Sequence, residues 1–364
     1  MVYICTACQQ RNSKPPCPLG LCPCGKPLSV HYDWEGQARP VEVDSNESSL
    51  WRYKSVLPTV NERITLDEGK TPLVSIGNNI YVKDETVNPT GSFKDRGMAL
   101  AVSMAKAQGI QNICLPSAGN AGISAAAYCQ QADIQCHVFL PETIPESFKK
   151  ETKRYEANIF LKGQTISDAA QEMVETKEPD WFDISTLKEP FRIEGKKTLG
   201  YEIAEQMGWT LPDVIIYPTG GGTGLIGMWK AFKEMKGMGW ISGPLPRLVA
   251  AQSDGCAPVV KAFQAREKST EFWDNSNTIA LGLNVPGPLG GSWMLDVLSE
   301  SGGIAMTAKE LDLESATEEF RQSSDINSSA EAGVVWSVYH TLKDAGWIEQ
   351  GEKIIMFATG IERG

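Results

Sequence analysis

The sequence lacks several features that mark whole classes of protein. Among its 364 residues no apolar run approaches the roughly 20 residues that a membrane-spanning helix requires, so no membrane association is expected. The chain begins without a basic segment followed by an apolar stretch, which predicts no secretion signal and a cytoplasmic location. It has only three histidines, His31, His137 and His340, and their spacing indicates neither a catalytic nor a metal-binding arrangement.

Positive charge is also in short supply. Lysine and arginine total 34 against 45 aspartates and glutamates, so the formal net charge is -11. Nucleic-acid binding depends on neutralising phosphates with a basic surface, and we therefore expect no general affinity for DNA or RNA. A small anionic ligand needs only a few local cations and backbone amides, so the net charge does not argue against one.

The cysteines are unevenly distributed. Five of the nine fall between Cys5 and Cys24, and the other four are scattered through apolar segments. An odd number in this arrangement does not indicate a disulfide framework. Cys5-x-x-Cys8 and Cys22-x-Cys24 instead resemble the paired knuckles of a zinc ribbon, whose four thiolates hold a structural tetrahedral zinc, with Cys17 as a spare ligand. The second pair is one residue tighter than usual, which leaves zinc occupancy open.

Short apolar runs alternate with helical patterns from Ile80 onward. The predicted strands are 113–115, 135–140, 158–161, 181–184, 214–217, 248–251 and 353–357. The predicted helices are 93–108, 121–132, 196–207, 223–235 and 330–345. This β-α-β rhythm predicts an α/β protein with parallel sheets that are covered by helices on both faces.

The segment Asn88–Gly97, with the sequence NPTGSFKDRG, is the most informative part of the chain. Its proline and glycine predict a turn. Ser92 then fits a helix N-cap, and Asp95 three residues later completes a capping-box-like pair. The helix that follows ends at Gly109 as the residue after its C-cap. Lys94 therefore lies in the first helical turn.

A lysine is unusual at that position. The positive end of the helix dipole disfavours an ammonium group, and Arg96 adds to this effect while Asp95 opposes it, so we expect a lowered pKa for Lys94. A neutral amine is what Schiff-base chemistry requires. Composition alone favours an ordinary surface lysine at a helix start, whose charge Asp95 offsets.

A glycine-rich loop, Tyr217–Gly227, follows a predicted strand and opens a helix. Its glycines allow several backbone N–H groups to converge on an anion at the helix N-terminus, and a phosphate is the expected ligand. Gly222-x-Gly224-x-x-Gly227 also fits the dinucleotide fingerprint, with Asp254 after the next strand as a ribose ligand. A nicotinamide-dependent dehydrogenase is therefore an alternative, although it leaves the Lys94 segment unexplained.

Two more loops follow predicted strands. The segment Pro116–Gly122, PSAGNAG, has small residues that let a flat ligand approach the backbone, with Ser117 and Asn120 as hydrogen-bonding groups. Thr359 follows the last strand, and its hydroxyl either meets a ring nitrogen of a ligand or simply caps the end of the strand. In parallel sheets ligands bind at the carboxyl ends of strands, so we expect the three loops to share one rim.

Taken together, these segments resemble the fold-type II pyridoxal phosphate enzymes, and among them the threonine synthases. The matching segments occur in the family's order between about residues 60 and 360: 83–85, 88–97, 116–122, 191–198, 220–223 and 359–360. The resemblance implies two three-layer α/β/α domains with parallel-type sheets and a homodimer. The large cofactor-binding domain comprises 36–105 and 190–364, the small α/β domain 106–189, and the zinc-ribbon-like module 1–35.

The resemblance also implies a role for each candidate residue. Lys94 carries pyridoxal phosphate as a Schiff base and moves protons, Asn120 hydrogen-bonds the cofactor's phenolic oxygen, and Thr359 faces its pyridine nitrogen. The cofactor's phosphate is cradled by Gly220, Gly221, Gly222, Thr223 and Gly224. The phosphate or carboxylate of the amino-acid substrate is held by Ser117, Ser185, Thr186 and Arg192. For Arg192 the alternative is a surface arginine paired with Glu194.

The implied reaction converts O-phospho-L-homoserine and water to L-threonine and phosphate. Two departures from the family's pattern keep other reactions open. Ala121 stands where many members have a threonine, and the phosphate loop reads Gly-Gly-Gly-Thr, as in the dehydratases. The alternatives are a β-replacement enzyme similar to cysteate synthase and a serine/threonine dehydratase. A non-catalytic protein that docks through its cysteine module is disfavoured by the intact Lys94 and Asn120.

Overall fold

A computed structural model describes residues 1–13 and 20–363. Cys17, the spare ligand candidate, and the final Gly364 lie outside the described residues. The strands are β1 Val2–Cys5, β2 Arg11–Asn12, β3 Leu28–His31, β4 Leu73–Gly77, β5 Ile80–Asp84, β6 Asn112–Pro116, β7 Gln135–Leu140, β8 Asn158–Leu161, β9 Phe182–Asp183, β10 Val214–Pro218, β11 Arg247–Ser253, β12 Ile304–Ala308 and β13 Ile354–Ala358.

The helices lie mainly between these strands. They are α1 Lys94–Ala107, α2 Asn120–Gln131, α3 Glu146–Arg154, α4 Ile166–Thr176, α5 Phe191–Lys196, α6 Thr198–Gln206, α7 Thr223–Met238, α8 Pro258–Gln264, α9 Gly291–Ser301, α10 Leu313–Ser324 and α11 Ala330–Asp344. Within the described residues, no helix is both long and apolar enough to cross a membrane.

The strands form three sheets. The largest has the order β12-β11-β10-β13-β5-β4, and all of its pairs are parallel except β4 with β5. A second sheet, β8-β7-β6-β9, is parallel throughout. The third, β2-β1-β3, is antiparallel and contains Cys5. The prediction of parallel sheets is therefore confirmed for the two large sheets, with one antiparallel edge.

That antiparallel edge was missed because the predicted strands began too late in the chain. β4 and β5 form a hairpin whose connection is Asn78-Asn79, with φ of 50° and 61°. Two successive residues at positive φ are typical of the two-residue hairpin turn that matches the twist of the strands. An Asn-Asn pair between two apolar runs was the available signal. The seven predicted strands are all present, whereas β12 was also missed.

The core of the large sheet lies on both of its faces. Ile215 and Ile355 pack with α6, α7 and α9 on one face, and their neighbours Ile216 and Met356 pack with α11 on the other. Alternate residues of a strand point to opposite faces, so a continuous apolar run indicates a strand that is covered on both sides. Burying each such side chain contributes about 1.5–3 kcal/mol. The result is a three-layer α/β/α arrangement.

The start of α1 differs from its prediction. The helix begins at Lys94, and its N-cap side chain makes no capping hydrogen bond. The carboxylate of Asp95 does not reach back to Ser92 but accepts hydrogen bonds from Thr90 N at 2.7 Å and from Ser124 Oγ at 2.6 Å. The predicted capping box is therefore wrong, because α2 supplies a buried partner that local sequence does not reveal. The predicted end is confirmed by Gly109, whose φ is 74°.

Candidate active site

A cavity of about 570 Å³ opens where the three predicted loops meet. The loop after β6, the glycine loop after β10 and Thr359 after β13 all line it, at the carboxyl ends of parallel strands. Every residue predicted to bind cofactor or substrate lies in its wall except Ser185. Ser185 instead donates its hydroxyl to Asp183. The predicted convergence of the three loops is confirmed.

The amine of Lys94 faces this cavity from the first residue of α1. Its Nζ lies 4.0 Å from the centre of the Phe93 ring. Burial, followed by the charge of Arg192, lowers the pKa of Lys94 to about 8, while Glu331 opposes the shift. With that pKa about one tenth of the amine is neutral at pH 7, roughly two hundredfold more than for an ordinary lysine. The predicted direction is confirmed, although Arg192 rather than Arg96 is the neighbouring cation responsible.

Arg96 points away from the cavity into a buried ion network. Its guanidinium contacts Glu85 at 2.7 Å and Glu202 at 2.9 Å, and Glu202 also contacts Lys83 at 2.6 Å. These side chains are at most 3% exposed, so the charges must be paired with each other. The network ties α1 to β5 and α6. It therefore holds Lys94 in place and explains why Lys83 and Glu85 accompany the lysine segment.

The glycine loop between β10 and α7 leaves room only for backbone. A Cβ on Gly220 would lie 2.6 Å from the carbonyl oxygen of Gly282, and one on Gly222, whose φ is 78°, would collide with Met294. A Cβ on Gly224 would collide with the hydroxyl of Tyr217. The loop lines the cavity where α7 begins, and its glycines carry no side chains that could cover the backbone N–H groups there. This is the geometry of an anion site.

The loop after β6 is organised by Ser117. Its Oγ accepts hydrogen bonds from the backbone N–H of Gly119 at 3.1 Å and of Gly122 at 2.9 Å, and the residue is 2% exposed. Ser117 therefore shapes the loop rather than presenting a free hydroxyl. Asn120 begins α2, and its Oδ1 accepts a hydrogen bond from Arg363 Nε at 3.1 Å.

Thr359 links the last strand to the lysine segment. Its backbone carbonyl accepts a 3.0 Å hydrogen bond from the N–H of Phe93, the residue before Lys94. Ser92 and Gly360 also form an isolated antiparallel bridge. The end of β13 therefore holds the start of α1 directly, and it brings the Thr359 side chain to the cavity wall.

Arg192 is a buried arginine on α5 that faces the cavity. It is 2% exposed, and its Nη1 donates to the carbonyl of Ile184 at 2.8 Å. Within the described ranges its Nε has no hydrogen-bond partner. The alternative of a surface pair with Glu194 is wrong, because Glu194 is itself buried and pairs with Lys197 at 2.8 Å. A buried guanidinium with an open donor is suited to an anionic ligand.

Several cavity residues were missed by sequence reasoning. Lys196 lies four residues after Arg192, so helical spacing places both on one face of α5, and this signal was available. Asn284, Glu331 and Arg363 come from segments with no recognisable motif. Only the tertiary fold brings these three to the cavity.

The dinucleotide alternative fails on its acidic residue. Asp254 follows β11 as predicted, but its Oδ1 accepts a 2.8 Å hydrogen bond from the N–H of Glu310. It does not belong to the cavity wall. Gly222, Gly224 and Gly227 therefore lack the ribose partner that the fingerprint requires.

The four candidate metal ligands of the N-terminal sheet lie together. The sulfur atoms of Cys5, Cys8, Cys22 and Cys24 are all within 4.8 Å of one another. Cys5 Sγ is 3.4 Å from Cys24 Sγ, and Cys8 Sγ is 3.7 Å from Cys22 Sγ. The tight spacing of the second pair does not prevent convergence with Cys5, the last residue of β1, and Cys8, in the turn that follows it.

Comparison with known proteins identifies the family to which the chain is related. The family of pyridoxal-phosphate dependent enzymes matches residues 64–360. A threonine synthase of Methanocaldococcus jannaschii is 31% identical over 353 residues, which cover 93% of this chain and 87% of that protein. A threonine synthase of Methanosarcina acetivorans is 30% identical over 348 residues, covering 93% and 85%.

Solved structures share the fold. A fungal L-serine ammonia-lyase from Rhizomucor miehei has a TM-score of 0.70 with 19% identity, covering 81% of this chain and 94% of that one. Maize serine racemase has a TM-score of 0.67 with 21% identity, covering 80% and 88%. At these identities the likeness concerns the fold alone.

The cavity also fits the family's cofactor chemically. Lys94 offers an amine of lowered pKa, and the glycine loop offers the backbone cradle of a phosphate. Buried polar atoms on Arg192, Tyr217 and Asn284 lack partners among the residues that the structure describes, as expected of a wall that receives a polar ligand. The chain belongs to the pyridoxal-phosphate dependent enzymes and, among them, to the threonine synthase family.

Proposed function

We propose that this protein is a lyase that converts O-phospho-L-homoserine and water to L-threonine and phosphate. One observation carries the proposal: the Lys94 amine, the glycine loop and the buried Arg192 guanidinium all face one cavity. The amine suits the cofactor's aldehyde, the loop its phosphate, and the guanidinium a second anion on the substrate. The threonine synthase relatives cover nearly the whole chain, which supports this choice of substrate.

Different residues bind different parts of the pyridoxal phosphate. Gly220, Gly221, Gly222, Thr223 and Gly224 hold its phosphate, Asn120 its phenolic oxygen and Thr359 its ring nitrogen. When bound, the ring withdraws electrons from the bonds at the substrate's Cα. A threonine hydroxyl, being neutral, does not hold a proton on that nitrogen as a carboxylate would.

Lys94 acts as the proton carrier of the reaction. A group transfers protons best when its pKa lies near the working pH, and the pKa of Lys94 is about 8. With the cofactor bound, the free Nζ of Lys94 would accept the proton from the substrate's Cα, deliver it to another atom of the bound substrate and cofactor, and only then accept a proton from Cβ. The buried network around Arg96 keeps this nitrogen in position.

Arg192 holds an oxyanion of the substrate. Its orientation is fixed by the bond from Nη1 to Ile184, which leaves Nε for the ligand. Because the side chain is buried, the charge-assisted bond forms away from water and gains strength. Thr186 lies in the same wall, and Ser117 shapes the adjoining loop. Ser185 belongs to the set only if its hydroxyl leaves Asp183.

The reaction is tested by measuring released phosphate from O-phospho-L-homoserine, with O-phospho-L-serine assayed in parallel. Threonine formation must accompany phosphate release in equal amounts. Ammonia release from threonine or serine would favour the dehydratase alternative, and turnover of O-phospho-L-serine alone would favour β-replacement. Either result without threonine formation overturns the proposal.

We further propose that Cys5, Cys8, Cys22 and Cys24 hold a structural zinc ion in a zinc-ribbon module. Bonds of about 2.3 Å in a tetrahedron separate the sulfurs by about 3.8 Å, close to the 3.4 Å and 3.7 Å separations above. Metal analysis should find one zinc per chain, and Cys8→Ser should lower it. Cys256→Ala, a buried cysteine outside the cluster, is the matched control. Zinc far below one per chain contradicts the proposal.

The domain boundaries stand as a proposal: 1–35, then 36–105 with 190–364, and 106–189. The three separate sheets support them, since β6 to β9 all fall within 106–189. We also propose a cytoplasmic homodimer, in accord with the family resemblance. Sedimentation equilibrium on the purified protein tests the oligomeric state, and a monomer at micromolar concentration would contradict it.

A further inference from the structure

Lys196 is a second buried amine in the cavity wall. It is 1% exposed, and its Nζ donates a 2.6 Å hydrogen bond to Thr223 Oγ1, on the first residue of α7. The same Nζ lies 4.5 Å from the centre of the Phe93 ring, which Lys94 also approaches. The two amines therefore flank one aromatic ring beside the glycine loop.

The pairing of Lys196 differs from that of the other fully buried lysines. Lys83 contacts Glu202 at 2.6 Å, and Lys197 contacts Glu194 at 2.8 Å. In the part of the chain that the structure describes, Lys196 forms no ion pair with any carboxylate. A buried ammonium group without a counter-ion is costly, and an anion bound beside Thr223 would be the counter-ion that the described residues do not supply.

Two glycines on the neighbouring helices make room for Lys196. A Cβ on Gly97 of α1 would lie 3.0 Å from Lys196 Cε, and a Cβ on Gly227 of α7 would lie 3.1 Å from the Lys196 carbonyl carbon. Both glycines let a helix approach α5 closely. The lysine stem is consequently confined between α1 and α7, and its amine is directed at the start of α7.

The electric field at that point favours an anion. Burial, followed by the charges of Arg192 and Lys94, lowers the pKa of Lys196 well below its usual value, while the charge of Glu189 opposes the shift. The amino end of α7 adds the positive end of a helix dipole, with Gly222 as its N-cap. A dianionic phosphate placed there would restore the proton to Lys196 and supply the missing counter-charge.

We propose that Lys196 binds the phosphate group of the cofactor, beside Thr223 and the glycine loop. Its contact with Thr223 separates it from Arg192, whose open Nε serves the substrate. The inference rests on the cofactor of the family and not on the choice of amino-acid substrate. Its failure and the failure of the proposed reaction can therefore be told apart.

The test compares pyridoxal phosphate with pyridoxal, which lacks the phosphate. Apoenzyme carrying Lys196→Met is titrated with each compound, and dissociation constants come from the visible absorbance of the lysine adduct. Loss of a charge-assisted hydrogen bond should raise the dissociation constant of pyridoxal phosphate about 10- to 100-fold. The dissociation constant of pyridoxal should change by less than about twofold. The ³¹P resonance of bound cofactor should also shift.

Two variants serve as controls. Lys261→Met removes an exposed lysine that does not line the cavity and should leave both dissociation constants unchanged. Where Lys196→Met does not fold, as judged by circular dichroism, Lys196→Gln replaces it and keeps a donor to Thr223 without the charge. Lys196→Arg should recover part of the lost affinity.

Two results overturn the proposal. Equal weakening of pyridoxal phosphate and pyridoxal would assign Lys196 a packing role. Unchanged affinity for pyridoxal phosphate, with or without a raised KM for the amino-acid substrate, would show that Lys196 does not bind the cofactor's phosphate.

Discussion

The phenolic hydroxyl of Tyr32 donates a 2.6 Å hydrogen bond to Glu194, and this contact joins the cysteine-containing sheet to α5. The same short helix carries Arg192 and Lys196 on its cavity side. Phe191, on its other side, packs edge-on against Tyr3 with ring centres 6.3 Å apart. The N-terminal sheet therefore lies directly behind the helix that carries Arg192 and Lys196.

The first prediction concerns this contact. Tyr32→Phe removes the donor from a buried carboxylate, and should lower the free energy of unfolding by about 1–3 kcal/mol. Because α5 loses support, we also expect KM for the phosphorylated substrate to rise more than kcat falls. Urea denaturation and steady-state kinetics measure both effects. Tyr81→Phe on β5 is the matched control, and equal behaviour of the two variants would contradict the prediction.

The second prediction concerns Lys94. Lys94→Ala should abolish covalent attachment of the cofactor and lower kcat by about a thousandfold or more, because both the attachment point and the proton carrier are lost. Mass spectrometry after borohydride reduction measures the attachment. Lys106→Ala, on the exposed end of the same helix, should retain the adduct. Full activity of Lys94→Ala would rule out the mechanism.

The third prediction concerns Arg192. Arg192→Ala should lower kcat/KM for the phosphorylated substrate by about 10- to 100-fold. This is the loss expected when one charge-assisted hydrogen bond to the substrate is removed. Arg192→Lys should recover little, because an ammonium group does not reproduce the planar fork. Arg39→Ala, on the surface, is the control. An unchanged kcat/KM in Arg192→Ala would assign the anion to another residue.

The fourth prediction concerns pH. Only the neutral amine of Lys94 condenses with an aldehyde, and its pKa is lowered to about 8. The rate of adduct formation by the apoenzyme should therefore rise as pH increases from 7 and level off above about 9. An ordinary lysine would continue to gain up to about pH 10.4 or beyond. Stopped-flow absorbance measures the rate at each pH. A rate that keeps rising without a plateau below pH 10 would contradict the lowered pKa of Lys94.

The fifth prediction concerns helix packing. A Cβ on Gly195 would collide with the backbone carbonyl of Arg96, so α1 and α5 must separate in Gly195→Ala. We expect a loss of about 3 kcal/mol or more of unfolding free energy, beyond the usual range for overpacking. Gly243→Ala meets open space and is the control. Equal urea midpoints for the two variants would contradict this account.

Local sequence identified the parts of the site that local physics builds. The glycine loop and the end of α1 were predictable, because glycine is favoured wherever φ is positive or the backbone must approach a ligand. The strands β10 and β13 were predictable from continuous apolar runs that mark burial on both faces. The meeting of the loops followed from the rule that ligands bind at the carboxyl ends of parallel strands.

Contacts between distant segments were not predictable in this way. Asp95 was expected to cap its own helix, but Ser124 of α2 offers a buried partner instead. Arg96 was expected to influence Lys94, but Glu85 and Glu202 draw it into a separate network. Asp95 thus keeps one nearby partner, Thr90, and gains a distant one in Ser124, whereas Arg96 pairs with Glu85 and the distant Glu202.

By itself the sequence identified the segments that meet at the cavity, namely the lysine at a helix start, the glycine loop and the small-residue loop, and it identified the four cysteines that lie together in the N-terminal module. Only the tertiary structure decided which charges stay unpaired beside them. Pairing depends on which side chains meet across tens or hundreds of residues, as when Lys196 meets Thr223 and no carboxylate in the described chain. Burial then sets the free-energy cost of each unpaired charge. Neither the pairing of charges nor their burial is determined by residues that are close in the sequence.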